Sequence, residues 1–472
     1  MESATKTTTT SVSVPEPPKG LALLLMIGPA FVWMGEAIGS GEVILSTRFG
    51  AVLGTAVLWV PATAIFLKYW MGMAGARYTV CTGEGMMDMF SRLPGGKNWA
   101  VWLVLVAQAF AATISTGGLA VAAGAFANAL MPVFPPYVWS WILAALAVSI
   151  VWSGRFDTLK RVLSVLVTLM VCGVTFVAFK SSPELGAFFK GLFGFQIPDI
   201  PEWAIATGRI SNNPWHELAP IMGWAGGGFA SQVWYTYWVL GAGYGMAHGR
   251  PYGQAADVQA LKQMTPETAH KLRGWCRVVY ADATTALLIG LTATLSFMTA
   301  GAMILGPRQI VPDGPRVAFD LASIFGEQWG RYGELLFITA GCTALFSTLT
   351  GQLAGWPRLL SDGARICIPK FGRIEWKKQF HFFLITLLSI NFIITFALGL
   401  RPVKLIQTAA FIEGVLLLPL QALGGLVAIF FVLPKLLSEE AHRILQPSKI
   451  FAVALTIGAI VYFAVIIARF TL

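Results

Sequence analysis

The sequence predicts an all-α polytopic membrane protein of about eleven transmembrane helices. It is read as two repeats of five spans in which the first and sixth helices are discontinuous. Three observations lead there. The 472 residues are 56% hydrophobic and only 12% charged, where a soluble domain carries about 25% charged residues. Apolar stretches recur along the chain at the length, about 20 residues, that crosses a hydrocarbon core. Two of those stretches carry glycines and carboxyls where a continuous helix would have neither.

Residues 1–20 are rich in Thr, Ser and Pro and nearly free of large apolar side chains, so a disordered cytoplasmic tail is expected. The apolar run begins only after Lys19, is too long for the core of a signal peptide and lacks a cleavage site. Residues 21–472 are read as one integral-membrane domain. Its spans are expected at about 21–48, 51–76, 99–130, 137–153, 158–180, 218–246, 278–305, 332–357, 380–400, 403–433 and 449–468. The repeats then cover about 21–180 and 218–433, and the last span is an addition.

The first span carries Glu36 and then Gly39, Ser40, Gly41 and Glu42 at its centre. Glycine costs roughly 1 kcal/mol against alanine in a helix, and a carboxylate at mid-bilayer roughly 2.5–3.5 kcal/mol. A helix broken there frees backbone groups for a ligand. The sixth span repeats the anomaly with Gly226, Gly227 and Gly228 in a row. Corresponding interruptions five spans apart point to an inverted repeat with its site near the midplane.

Lys and Arg favour the side of the amino terminus by roughly two to one, which places that terminus in the cytoplasm and the carboxyl terminus outside a cell membrane. The net charge of +10 is thus read as cytoplasmic loops and not as a nucleic-acid surface. Five scattered cysteines without a C-x-x-C pair argue against a disulfide framework or a zinc site. Neither a Walker A motif nor H-E-x-x-H is present, and no catalytic constellation stands out, so an enzyme is not expected. No cofactor is expected beyond a transported or coupling cation. The expected partners are the bilayer and a divalent metal cation or small solute. No oligomeric state is specified.

The candidate binding residues are Gly39, Ser40, Gly41 and Glu42 in the first break and Gly227, Gly228 and Gln232 at the second. Glu42, the Ser40 hydroxyl and freed carbonyls offer hard oxygens to a cation, which makes Glu42 and Ser40 the first choice as metal ligands. Glu36, Glu413 and Asp282 are ionisable groups in apolar runs. They are read as coupling or supporting residues, with a paired structural role as the alternative. The run Trp234 to Trp238 is read as packing.

Several stretches resemble the NRAMP (natural resistance-associated macrophage protein) divalent-metal transporters. They are Gly28-Pro29-x-Phe31, Ala76-Arg77 followed by Thr82-Gly83, Asp282 in span seven, and Ser347-Thr348-Leu349-Thr350-Gly351-Gln352-Leu353-Ala354-Gly355. The resemblance implies a LeuT-like five-plus-five inverted repeat, with an inward amino terminus. The chain resembles a divergent member. Where the family has Asp-Pro-Gly-Asn it reads Gly39-Ser40-Gly41-Glu42. Where the family has Met-Pro-His it reads Gly228-Phe229-Ala230, and the acidic residues of span three are replaced by Gln108 and the uncharged run Thr113–Gly118. A lost thioether and retained oxygens favour a hard cation of the magnesium or manganese kind. Two readings follow: a secondary-active transporter of a divalent cation, or a cation-coupled transporter of a small organic solute such as an amino acid on the same fold.

Overall fold

The computed structural model describes residues 14–20, 22–25, 28–153, 156–181, 185–397 and 402–471. The expected disordered tail falls largely on residues 1–13, outside the described residues. Among the described residues the secondary structure is helical throughout, without strands. Helix occupies every expected span. Five helices are long and apolar enough to cross a bilayer as they stand, and two bent pairs raise this to seven. The rest fall short by this measure because they are broken, shorter or less apolar.

The first span is two pieces. Helix α1 (Pro29–Ala37) opens on proline at its first turn, where a missing N–H costs nothing. Ile38 and Gly39 leave the helical path, and the chain resumes as a π-helical turn, Ser40–Ser46, that runs into α2 (Thr47–Leu53). Gly39 is dictated by a close approach: a Cβ there would lie 2.1 Å from the Thr348 hydroxyl oxygen. Helix α2 ends at Leu53, beyond the expected limit of 48. Gly54, with φ of +70°, then turns the chain. The bend to the next span is 103°, so α3 (Trp59–Thr82) begins and ends later than expected.

Helices α4 (Trp99–Leu130), α5 (Pro136–Ser153) and α6 (Phe156–Lys180) complete the first half. The second break separates α7 (Trp215–Trp224) from α8 (Phe229–Gly241). Gly226 and Gly227 there have φ of +69° and +87°, a region that side-chain-bearing residues avoid. Helix α9 (Pro266–Ala300) follows, then α10 (Val317–Cys367), which is interrupted at Gly330 and runs ten residues past the expected limit of 357. Pro357 sits inside it without ending it. Helix α11 (Trp376–Ala397) leads to α12 (Pro402–Gly414), α13 (Leu418–Val427) and finally α14 (Lys449–Thr471).

The gap between α12 and α13 falls directly after Gly414, a glycine inside an apolar run that hints at an irregularity there. There Val415 and Leu416 both donate backbone N–H groups to the Phe411 carbonyl, at 3.0 and 3.1 Å. Glu413 sits at the end of α12, one residue before Gly414. Small residues let these elements close on one another. A Cβ on Gly355 of α10 would lie 2.4 Å from the Trp234 ring, and one on Gly228 would lie 2.1 Å from Glu413 Oε1.

Candidate functional site

The two breaks face each other. Glu42, fully buried, accepts the backbone N–H of Gly226 on Oε1 at 2.9 Å and sits 3.5 Å from the Thr294 hydroxyl. It therefore joins the first break to the second. Glu36 Oε1 accepts the Ser231 hydroxyl at 3.1 Å, while the Glu36 carbonyl accepts from Thr348 at 2.9 Å. Glu413 Oε2 accepts the Ala230 N–H at 3.0 Å, in the first turn of α8 where the helix dipole favours a negative charge. Its Oε1 accepts the Trp224 indole N–H.

Between these groups lies a chamber of about 20 Å³, lined by Glu36, Ser40, Gly41, Gly227, Gly228, Thr348 and Glu413 among others. One water needs about 10–15 Å³ measured in this way, so the chamber has room for a single water or a bare ion. Its polar surface is oxygen-rich: carboxylates, hydroxyls and the peptide groups released by the two breaks. Glu36 Oε2 and Glu42 Oε2 have no protein partner, although a buried carboxylate oxygen ordinarily finds one. Among the described residues no three His, Cys, Asp or Glu side chains gather as a metal-ligand cluster. Any cation held here would depend on backbone and hydroxyl oxygens beside the carboxylates.

One cation serves this centre. Lys68 of α3 is 1% exposed, and its ammonium donates to the Gly223 carbonyl at 3.1 Å. That carbonyl belongs to the last turn of α7, the negative end of a half-helix. Lys68 lies close enough to Glu42 and Glu413 to act on both electrostatically.

Of the residues singled out from sequence, Ser40, Gly41, Gly227, Gly228, Glu36 and Glu413 line the chamber. Gly39 is packed on Thr348, and Glu42 lies behind the wall on Gly226. Gln232 is also behind the wall: its amide donates to the Gly228 carbonyl at 3.4 Å and accepts from Gln421 at 2.8 Å. Asp282 takes the Ala30 N–H at 3.2 Å and the Tyr235 hydroxyl at 2.8 Å. It holds the start of α1 and does not reach the chamber. In the aromatic run Tyr235 stacks on Trp33, whereas Trp234, edge-on to Trp356, lines the chamber with it. Lys68, Thr348 and Trp224 were not picked as site residues. Lys68 had a signal, since it is an ionisable side chain inside an apolar run.

A family model described as natural resistance-associated macrophage protein-like matches residues 30–211. Over those residues the chain is similar to the NRAMP family. The NRAMP-like match takes in the first break, Glu36, Glu42 and Lys68. A protein of Pasteurella multocida (strain Pm70) described as uncharacterized is 23% identical over 223 residues. That match covers 45% of this chain and 47% of the relative, so the chain spans about half the length of the curated relative it matches. Among solved structures, a mutant of the manganese transporter of Eremococcus coleocola superposes with a TM-score of 0.62 at 13% identity, over 98% of this chain and 91% of that one. MhsT in complex with L-phenylalanine superposes with a TM-score of 0.56 at 14% identity, over 97% of this chain and all of that one. At such identities the likeness is one of fold. The NRAMP-like chain has the LeuT-like architecture expected from its two glycine breaks.

Proposed function

We propose that this chain is a secondary-active transporter, not an enzyme, that moves a divalent metal cation of the hard, magnesium- or manganese-like class through the chamber between its two broken spans. The observation that carries the reading is the size and lining of that chamber. At about 20 Å³ it suits an ion, whereas pockets for organic ligands run to about 300 Å³ and more. Two carboxylates, three hydroxyls and freed peptide oxygens are the donors a hard cation takes. Charge points the same way. Glu36 feels both Glu42 and Glu413, and Lys68 is the cation acting on that group.

A neighbour of the same fold is a manganese transporter, which supports the reading by analogy. We further read the amino terminus as cytoplasmic and the membrane as the cell membrane, from the Lys and Arg bias along the sequence. The test is calorimetry on purified protein with manganese, magnesium and a set of amino acids. Manganese or magnesium is expected to bind, and Glu36→Gln to weaken that binding by at least about tenfold, or 1.4 kcal/mol. Binding of an amino acid with no metal binding would replace this reading with the organic-solute one.

A further inference from the structure

A second cavity, of about 650 Å³, opens where α2, α7 and α12 begin and α14 ends. This is the end of the molecule away from the Glu16–Lys271 ion pair. Its wall is unlike the central chamber. Arg48, Arg209, Arg316, Lys404 and Arg469 line it against two carboxylates, Glu217 and Asp313, which leaves three positive charges facing the space. Asp320, outside the lining, offsets part of the charge of Arg316 and Arg209.

Some of these cations are already committed. Arg48 is buried and binds Glu217 through two nitrogens at 3.1 and 3.3 Å, and it also donates to the Pro312 and Arg209 carbonyls. It forms the floor. Arg469 donates to the Trp215 carbonyl at 3.2 Å and lies over the Phe411 ring. Arg316 and Lys404 are exposed, and neither makes an ion pair among the described residues; Arg48–Glu217 is the one bridge recorded in this wall. The five cations come from five separate chain segments, so they ring the cavity and do not form a stripe along one helix.

A low-dielectric recess ringed by like charges concentrates ions of the opposite sign. Guanidinium groups recognise carboxylates through paired N–H donors. The volume is that of a small-molecule site. We propose that this vestibule binds a small multivalent carboxylate anion of the di- or tricarboxylate class. A single carboxylate would meet one or two of the ring members; a compact polycarboxylate meets groups on opposite walls. The site is separate from the central chamber, and its occupancy does not depend on what crosses there.

The experiment is calorimetry on the full-length protein in detergent without added lipid, using citrate, succinate, inorganic phosphate and acetate as probes. Citrate is expected to bind, succinate more weakly and acetate not at all. The double variant Arg316→Gln/Lys404→Gln is expected to weaken citrate by at least about tenfold, and added sodium chloride to weaken it further through screening. Thr408→Glu, which adds a carboxylate to the lining, is expected to act in the same direction. Unchanged thermal midpoints would show that these exposed substitutions leave the fold intact. The proposal is overturned if neither citrate nor succinate binds, if both variants keep wild-type citrate affinity, or if phosphate binds more tightly than citrate. It is also overturned if an anion effect appears only in nanodiscs containing anionic phospholipid, which would assign the ring to lipid headgroups.

Discussion

The carboxylates at the centre of the bundle and those at its ends are equally buried yet differently partnered. At one end Glu217 has both oxygens occupied, by Arg48 at 3.1 and 3.3 Å and by the Gln407 amide at 2.8 Å. At the other end Glu84 accepts the Tyr78 hydroxyl at 2.6 Å, the Ala256 N–H at 2.7 Å and a two-nitrogen contact from Arg92. At the centre no arginine pairs with a carboxylate among the described residues. Glu36 and Glu42 each leave one oxygen without a protein partner. A carboxylate matched to a guanidinium is finished as structure. One left short of donors in a dry interior keeps a cost that a cation can relieve. On the proposed function, the contrast sets the central carboxylates apart from scaffold carboxylates that are equally buried.

The largest effect is expected from filling the central gap. Gly228→Ala would put a methyl 2.1 Å from Glu413 Oε1 and 2.6 Å from its carboxyl carbon. The carboxylate must then move, and displacements near 1 Å in a preorganised site cost about a hundredfold. Manganese uptake into liposomes is expected to fall by that order, while Gly35→Ala, whose added methyl meets nothing within 4 Å, should transport as the parent does. Equal uptake by the two variants would place the path elsewhere.

The next effect is on stability and not on transport. Removing one partner of a buried ion pair costs about 3–5 kcal/mol, because the other charge is stranded. Arg48→Leu or Glu217→Leu is therefore expected to lower the unfolding midpoint clearly. The double variant Arg48→Leu/Glu217→Leu should lose less than the two single losses combined. Additive losses would show that the two side chains do not act as a pair.

The same contrast explains what could be read from sequence. Both glycine breaks stood out because glycines and carboxyls are anomalous inside apolar runs, and Glu36 and Glu413 were marked by the same rule. The interruption after Gly414 is different. Gly414 hints at an irregularity, but Val415 to Leu417 are ordinary helix material, and the break itself shows in the shared hydrogen bonds to Phe411 and in the close approach of Gly414 to the Gly223 backbone. Thr348 was visible only as part of a family-like stretch. Its contact with the Gly39 region is 312 residues distant in sequence from the Glu36 carbonyl it bonds, and no spacing rule spans that distance. That Glu42 turns behind the chamber wall was equally illegible, because Gly226 on the opposite repeat decides it.

The smallest effect comes from the rim at the Glu84 end. Glu84 lies just past the end of α3, outside the spans. Burial by itself would raise its pKa, but Arg92, through hydrogen bonding and charge, together with Tyr78 and the Ala256 N–H, holds the carboxyl below its ordinary value of 4.5. A carboxylate whose folded pKa is depressed contributes its stability in full above the unfolded value and loses it as pH falls through the folded one. Glu84→Gln should therefore lower the unfolding midpoint near neutral pH. The gap between variant and parent should stay constant until the pH drops below 4.5, then narrow on further acidification as the parent loses its charge. A gap that widens on acidification would mean that Glu84 is protonated in the folded rim, and the ion pair with Arg92 would then not be what distinguishes this carboxylate from the central ones.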